Sequence, residues 1–164
     1  MVCGNIWIQV GEIPRNKRRT DMLVGRFDTK VDSKNRFMLP ARLRADLSNP
    51  VFITKSPESK LLVIYNQDEY EKKMNSIMDD ANLESPKKAL LLRYLSSNTK
   101  ELNFDISGRL VIPPQLISHL DLSNNDIMLL GMQNKIEIWN PKEYEAREAE
   151  QLQEMLDGDY GILL

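Results

Sequence analysis

Two arginines in this chain each stand four residues after an aspartate, Arg36 after Asp32 and Arg109 after Asp105. A guanidinium offers a planar fork of N–H donors that fits a phosphate or the O6/N7 edge of guanine. The aspartate at the opening of such a segment accepts a hydrogen bond from the backbone two residues on. The fourth position, Asn35 or Gly108, tolerates positive φ, so each segment is predicted to be a tight turn. Asp and Arg then flank a hairpin tip, close enough to pair, with the arginine held at the end of a sheet. The chemistry is recognition of an anionic partner. A single copy would read as a surface ion pair beside a turn, which contributes little. The same frame kept twice, while the residues between differ, argues for a shared task.

The repeated stretch is sixteen residues long, Asp32 to Leu47 and Asp105 to Leu120, at an offset of 73. Pro40 matches Pro113, Leu43 matches Leu116, Leu47 matches Leu120, and Phe37-Met38-Leu39 faces Leu110-Val111-Ile112. This is an internal duplication. The three apolar residues predict a short strand. The proline ends it and suits the first turn of a short helix, which puts its two leucines inward at i, i+4.

Composition bounds the partners. At 164 residues and 19.0 kDa the chain holds one domain, or two intertwined units too small to stand alone. No apolar run approaches the roughly 20 residues that span a bilayer, and the start lacks the basic region of a signal peptide. Cys3 is the only cysteine, which excludes an internal disulfide and a thiolate cluster and fits a reducing cytoplasm. Net charge is only −2, but residues 26–60 hold eight basic side chains against four acidic, while residues 141–160 hold two against seven. The field of the positive face governs an encounter with phosphate.

Four segments follow from this reading. Residues 1–21 are a leader without a counterpart in the second unit; its cluster Arg15 to Arg19 reads as a phosphate-binding arm, a disordered leader, or sequence ahead of a true start at Met22. Residues 22–84 form the first unit. Within it, Gly25 to Val31 is a strand with Phe27, Thr29 and Val31 on one face, and Val51 to Thr54 and Leu61 to Tyr65 form a hairpin. Asn66 with Glu69 signals a helix that puts Tyr70, Met74, Ile77, Met78 and Ala81 on one side. Residues 85–98 are a linker helix with Leu90, Leu91, Tyr94 and Leu95 apolar. Residues 99–164 are the second unit: a strand over Lys100 to Asp105, a hairpin of Ile127 to Leu130 with Ile136 to Trp139, and a helix from Asn140-Pro141 to about Leu156. The end, Ile162-Leu163-Leu164, either frays or docks on a neighbour.

The two Asp-x-x-x-Arg turns, each followed by apolar residues and proline, together with Ile136-Glu137-Ile138-Trp139, resemble the MraZ family of bacterial transcriptional regulators. The likeness runs from Met22 to about Leu156. It implies an α+β, AbrB-like swapped-hairpin β-barrel built from two tandem repeats with flanking helices. It also implies a closed ring of subunits that binds double-stranded DNA at tandem direct repeats upstream of its own gene, ahead of the division and cell-wall cluster. The implied setting is the cytoplasm, at the nucleoid. The family's motif maps onto Asp32 and Arg36, and onto Asp105 and Arg109. Its usual glycine is present as Gly108 and replaced by Asn35; its usual basic residue is Lys34 in the first turn and Ser107 in the second. That leaves the weight of phosphate binding on the first unit. The expected DNA contacts are Lys34, Asn35, Arg36, Ser107, Gly108 and Arg109, with Lys30 and Arg42 beside them, and Asp32 and Asp105 hold the turns.

Two rival functions have their own signatures. For an enzyme, the sole histidine, His119, falls on the outer side of a short helix. There is also no Gly-rich phosphate loop, no Gly-x-Ser-x-Gly and no metal-ligand spacing. Neither catalysis nor a cofactor or metal is expected. An AbrB-like antitoxin or protein-interaction module of the same fold is the other rival, but such antitoxins carry one unit and a short tail, whereas this chain has two units.

Overall fold

The computed structural model describes residues 22–158. The leader with Arg15 to Arg19, and the terminal Ile162 to Leu164, lie outside the described residues.

Strand β1 (Leu23–Lys30) leads into the first turn, and β2 (Arg36–Met38) leaves it. A one-turn helix α1 (Ala41–Arg44) follows, then β3 (Val51–Lys55), β4 (Leu61–Asn66), α2 (Gln67–Asp79) and α3 (Ser85–Asn98). The second unit repeats the plan with β5 (Thr99–Leu102), β6 (Arg109–Val111), α4 (Pro114–Ile117), β7 (Asp126–Gln133), β8 (Lys135–Trp139) and α5 (Pro141–Asp157). The prolines stand one place earlier than predicted: Pro40 and Pro113 are the N-caps, with ψ of 139° and 141°, so they end the extended segment and leave helix entry to the next residue.

The strands are arranged as an α+β fold with two antiparallel sheets. The large one has the order β1-β7-β8-β4-β3-β5, and the small one is the ribbon β2-β6. The strand order is its own mirror: exchanging each strand for its repeat turns the list end for end. At the centre Val63 faces Glu137, and in the ribbon Phe37 faces Leu110. A pseudo-two-fold axis passes through both pairs. Strands of the two units interleave across it, with β1 on β7, β5 on β3, β4 on β8 and β2 on β6. The expected closed barrel is not formed: β1 and β5 are the two edges of an open sheet, and the ribbon is separate from it.

Alternation along the strands divides the apolar residues between two faces. Ile53, Leu62, Ile64, Ile127, Leu129, Ile136 and Ile138 point inward, against Phe37, Leu39, Leu110 and Ile112 of the ribbon side, against Leu43 and Leu116 of the short helices, and against Leu120 of the 3-10 turn Ser118–Leu120 that follows α4. Leu47, predicted as a helix residue, lies past the end of α1 and packs on this core half-buried. The other face carries Leu61, Val63, Met128 and Trp139, with Tyr144 of α5 packed on them.

Two local expectations differ from what forms, on Asn66 and on α2. Asn66 does not cap α2 with its side chain. It is used instead to tie down the end of α1, its Nδ2 donating to Asp46 O at 2.9 Å and its Oδ1 accepting from Ser48 N at 3.2 Å. Its repeat, Asn140, does both jobs, accepting from Lys142 N at 3.1 Å while Nδ2 donates to Asp121 O at 3.0 Å. On α2, Ile77 is buried, but Met78 is exposed and Ala81 falls beyond the helix. On α3 no residue is buried, and Leu90 is 63% exposed, so this helix presents an apolar surface outward.

Candidate nucleic-acid interface

Each Asp-x-x-x-Arg segment closes through five hydrogen bonds. In the first turn Asp32 N donates to Arg36 O at 2.8 Å and Asn35 N to Asp32 O at 3.0 Å. Asp32 Oδ1 accepts from Lys34 N at 2.8 Å and from Arg36 N at 2.9 Å, and Oδ2 accepts from Arg36 Nε at 2.7 Å. In the second turn the same five distances are 2.9, 2.9, 2.9, 2.9 and 2.8 Å, with Ser107 in the place of Lys34. Asn35 has φ 56° and Gly108 φ 79°, the left-handed conformation that both residue types accept.

This geometry gives the aspartate its role. The Arg36 backbone N–H is the largest influence holding the Asp32 carboxyl below its ordinary value of 3.8, and the Arg36 side chain adds to it; Arg109 does the same for Asp105. A charged acceptor of two backbone amides fixes the turn. Because Oδ2 takes only Nε of the arginine, the two terminal nitrogens are left to a partner, since no other hydrogen bond joins either guanidinium to a described residue.

The ribbon then brings the two turns together. Its register sets Arg36 opposite Val111, Phe37 opposite Leu110, and Met38 opposite Arg109. Ile112 N donates to Asn35 O at 2.8 Å, and its image, Leu39 N to Gly108 O, spans 3.4 Å, so the ladder extends into both turns. With Phe37 and Leu110 buried, pleating turns Arg36, Met38, Arg109 and Val111 outward. The arginines occupy one diagonal of that four-residue face, where diagonal neighbours stand roughly 7–8 Å apart. Met38 (45% exposed) and Val111 (49%) occupy the other. Each turn taken locally predicts a hairpin within its own unit; the strand that flanks each arginine in the ribbon comes from the other unit.

The remaining expected contacts separate. Lys34 and Ser107 are exposed within the turns. Arg42 is exposed on α1. Lys30 is engaged elsewhere, its ammonium 3.1 Å from Asp126 Oδ1 at the start of β7. Arg44, not among the expected contacts, reaches from α1 to the second turn: its Nη1 lies 3.5 Å from Ser107 O and 3.9 Å from Met38 Sδ. The only sequence signal for it was the excess of basic residues in this region. His119 is half-buried, its Nε2 lying 3.0 Å from Ser59 O. Among the described residues no group of three or more His, Cys, Asp or Glu side chains is placed to hold a metal, and no helix is long and apolar enough to cross a membrane.

Comparison with known proteins agrees with the duplicated frame. A family model described as "MraZ protein, putative antitoxin-like" matches twice, over residues 22–94 and 95–158. The chain is 36% identical over 137 residues to a protein of Mycoplasma capricolum named Transcriptional regulator MraZ, an alignment that covers 81% of this chain and 98% of the relative. Proteins of the same name from Cytophaga hutchinsonii and Clostridium tetani are 36% and 30% identical over 125 and 127 residues. These alignments cover 74% and 76% of this chain, and 81% and 85% of the relatives. With both of its units matched and such relatives aligned over most of its length, the chain belongs to the MraZ family.

Proposed function

We propose that this protein is a sequence-specific DNA-binding transcription regulator that reads DNA with the outer face of the β2–β6 ribbon. The observation that carries the reading is the pairing of the two Asp-Arg turns in one ribbon, with two forks fixed at Nε and presented on a diagonal. Two-stranded ribbons fit the major groove. Arg36 and Arg109 would bind guanine edges or phosphate; Met38 and Val111 would meet thymine methyl groups; Lys34, with Asn35 and Ser107 at the tips, would follow the backbone, while Gly108, expected beside them, is buried and shapes its turn without reaching DNA, and Arg42 would add charge from α1. The names of the relatives support regulation as the purpose of that contact. The interleaved pairing of strands supports the unit boundaries read from the sequence, with α3 as the joint between two AbrB-like repeats, and a swapped-hairpin arrangement of those repeats.

One subunit has a net charge of −2 and a single small basic face, the ribbon with its two turns, too little to hold DNA at physiological salt. We therefore assign the affinity to a closed ring of copies, with the tips along one rim and all in one orientation. The operator is then a row of direct repeats, in front of the protein's own gene and the division and cell-wall cluster behind it, bound at the nucleoid in the cytoplasm. Exposed apolar residues support assembly: Leu152, Met155 and Leu156 are 55%, 58% and 74% exposed at i, i+3, i+4 near the end of α5, and Leu90 is bare on α3.

Linked contacts raise avidity by roughly 10² to 10⁴ over one site when their spacing matches. Fluorescence anisotropy with duplexes of one, two and three repeats from upstream of the gene is expected to show a steep gain with each repeat. Inserting about five base pairs, half a helical turn, between repeats is expected to abolish the gain. A single repeat bound as tightly as three, or indifference to the insertion, would overturn the mechanism.

A further inference from the structure

The two turns differ in charge along the sequence. At the offset of 73, Lys34 of the first becomes Ser107, Arg42 becomes Gln115 and Arg44 becomes Ile117, so the first unit holds all three extra cations. In the folded chain they do not stay together. The guanidinium of Arg44 lies against the second turn, Nη1 being 3.5 Å from Ser107 O, and it fills the space where a side chain at residue 108 would begin: a Cβ built on Gly108 would be 1.6 Å from Arg44 Nη1 and 2.5 Å from Cζ. Positive φ alone does not demand glycine at this position of the turn, since Asn35 holds φ 56° in the first. The distinguishing requirement at Gly108 is room for Arg44.

We propose that Arg44 is the backbone-phosphate contact of the second turn, lent across the ribbon by the first unit, and that Gly108 is the seat that admits it. The inference rests on the DNA-reading function above. Each turn then presents one fixed fork and one further cation: Arg36 with Lys34 on the first, Arg109 with Arg44 on the second. The pseudo-two-fold pattern of charge is restored at the turns, and Arg42 is the one cation left without a counterpart, its match being Gln115. Arg44 stands beside the turn, on α1, while the outward positions of the ribbon belong to Arg36, Met38, Arg109 and Val111. A cation in that place meets phosphate, and affects all sequences alike.

The test uses the full chain and anisotropy titrations over a range of salt, on the repeat array and on an unrelated duplex of equal length. Arg44→Ala is expected to weaken both duplexes by a similar factor and to reduce the slope of log affinity against log salt by about one for each subunit engaged. Arg44→Lys, which keeps the charge, is expected to recover most of that slope. Gly108→Asn, the residue the first turn uses, keeps the turn but displaces the guanidinium; it is expected to reproduce Arg44→Ala, and the double variant to be no weaker than Arg44→Ala alone. An unchanged salt slope in Arg44→Ala, even with a lowered melting temperature, would reduce Arg44 to a prop and overturn the proposal. Additive losses in the double variant would overturn the role of Gly108. If Gly108→Asn does not fold, the Ala and Lys variants decide alone. Arg36→Ala serves as the reference: loss there with none in Arg44→Ala removes only this inference, and no loss in either removes the DNA-reading function itself.

Discussion

The two turns of this protein are built from different residues and have the same geometry. Lys34 faces Ser107 in the alignment and Asn35 faces Gly108, yet corresponding hydrogen bonds agree to within 0.1 Å. Aspartate and arginine, the two residues held constant, make every side-chain hydrogen bond of the frame. The three that vary, Ser33 against Ile106 as well as these two pairs, lie where at most a backbone group is required. The comparison separates two duties within five residues: a frame that must be kept to place the fork, and a surface free to exchange charge. It also shows that charge is distributed by the fold, since the second turn, poorer in sequence, is the one that Arg44 approaches.

If the frames are halves of one element, damage at their common axis should fell both. Phe37 and Leu110 face each other there and are almost wholly buried. Phe37→Ala is expected to cost about 3–5 kcal/mol and Leu110→Ala about 2–5 kcal/mol, the usual loss for truncating a packed core residue. Urea unfolding followed by circular dichroism should show one cooperative transition moved in each variant. Two separate transitions, one of them unmoved, would mean that the units fold independently and that the ribbon does not couple them.

A smaller effect sharpens the equivalence of the frames. Because Asp32 and Asp105 have carboxyl groups held below the ordinary 3.8, the folded state binds their protons less readily than the unfolded chain does. Their contribution to stability is therefore present above that value and is lost as pH falls through it toward the depressed folded values. Asp32→Asn and Asp105→Asn should each flatten the acid side of the stability profile by a similar amount while leaving its neutral side parallel to the wild type. A marked difference between the two would show that one turn is held by something other than its aspartate.

The turns were legible in the sequence because their chemistry is local. An aspartate, a residue tolerant of positive φ and an arginine at fixed spacing specify five hydrogen bonds with no help from the rest of the chain. The hairpins β3–β4 and β7–β8 were legible for the same reason, through alternation that the sheet preserves. The pairing of β2 with β6 was not, since two three-residue strands carry no local mark of their partner and the choice is made by the shared core around Phe37 and Leu110. Asn66 misled because a capping residue can equally hydrogen-bond a distant carbonyl, and here Asp46 offers one. Arg44 was hidden because its place depends on where a turn 63 residues away is folded back. The outward face of α3 was hidden too: its leucines have the composition of a buried stripe, and only the packing of the sheet shows that none is buried.

The most direct test of the ribbon as a single reader compares wild type, Arg36→Ala, Arg109→Ala and the double variant, each shown to be folded, on the repeat array and on an array with its guanines replaced. Both single variants are expected to lose about 1–3 kcal/mol of discrimination between the two arrays, and the double variant to bind them alike. Full discrimination by a folded Arg109→Ala protein would contradict the shared ribbon and leave the first turn as the sole reader.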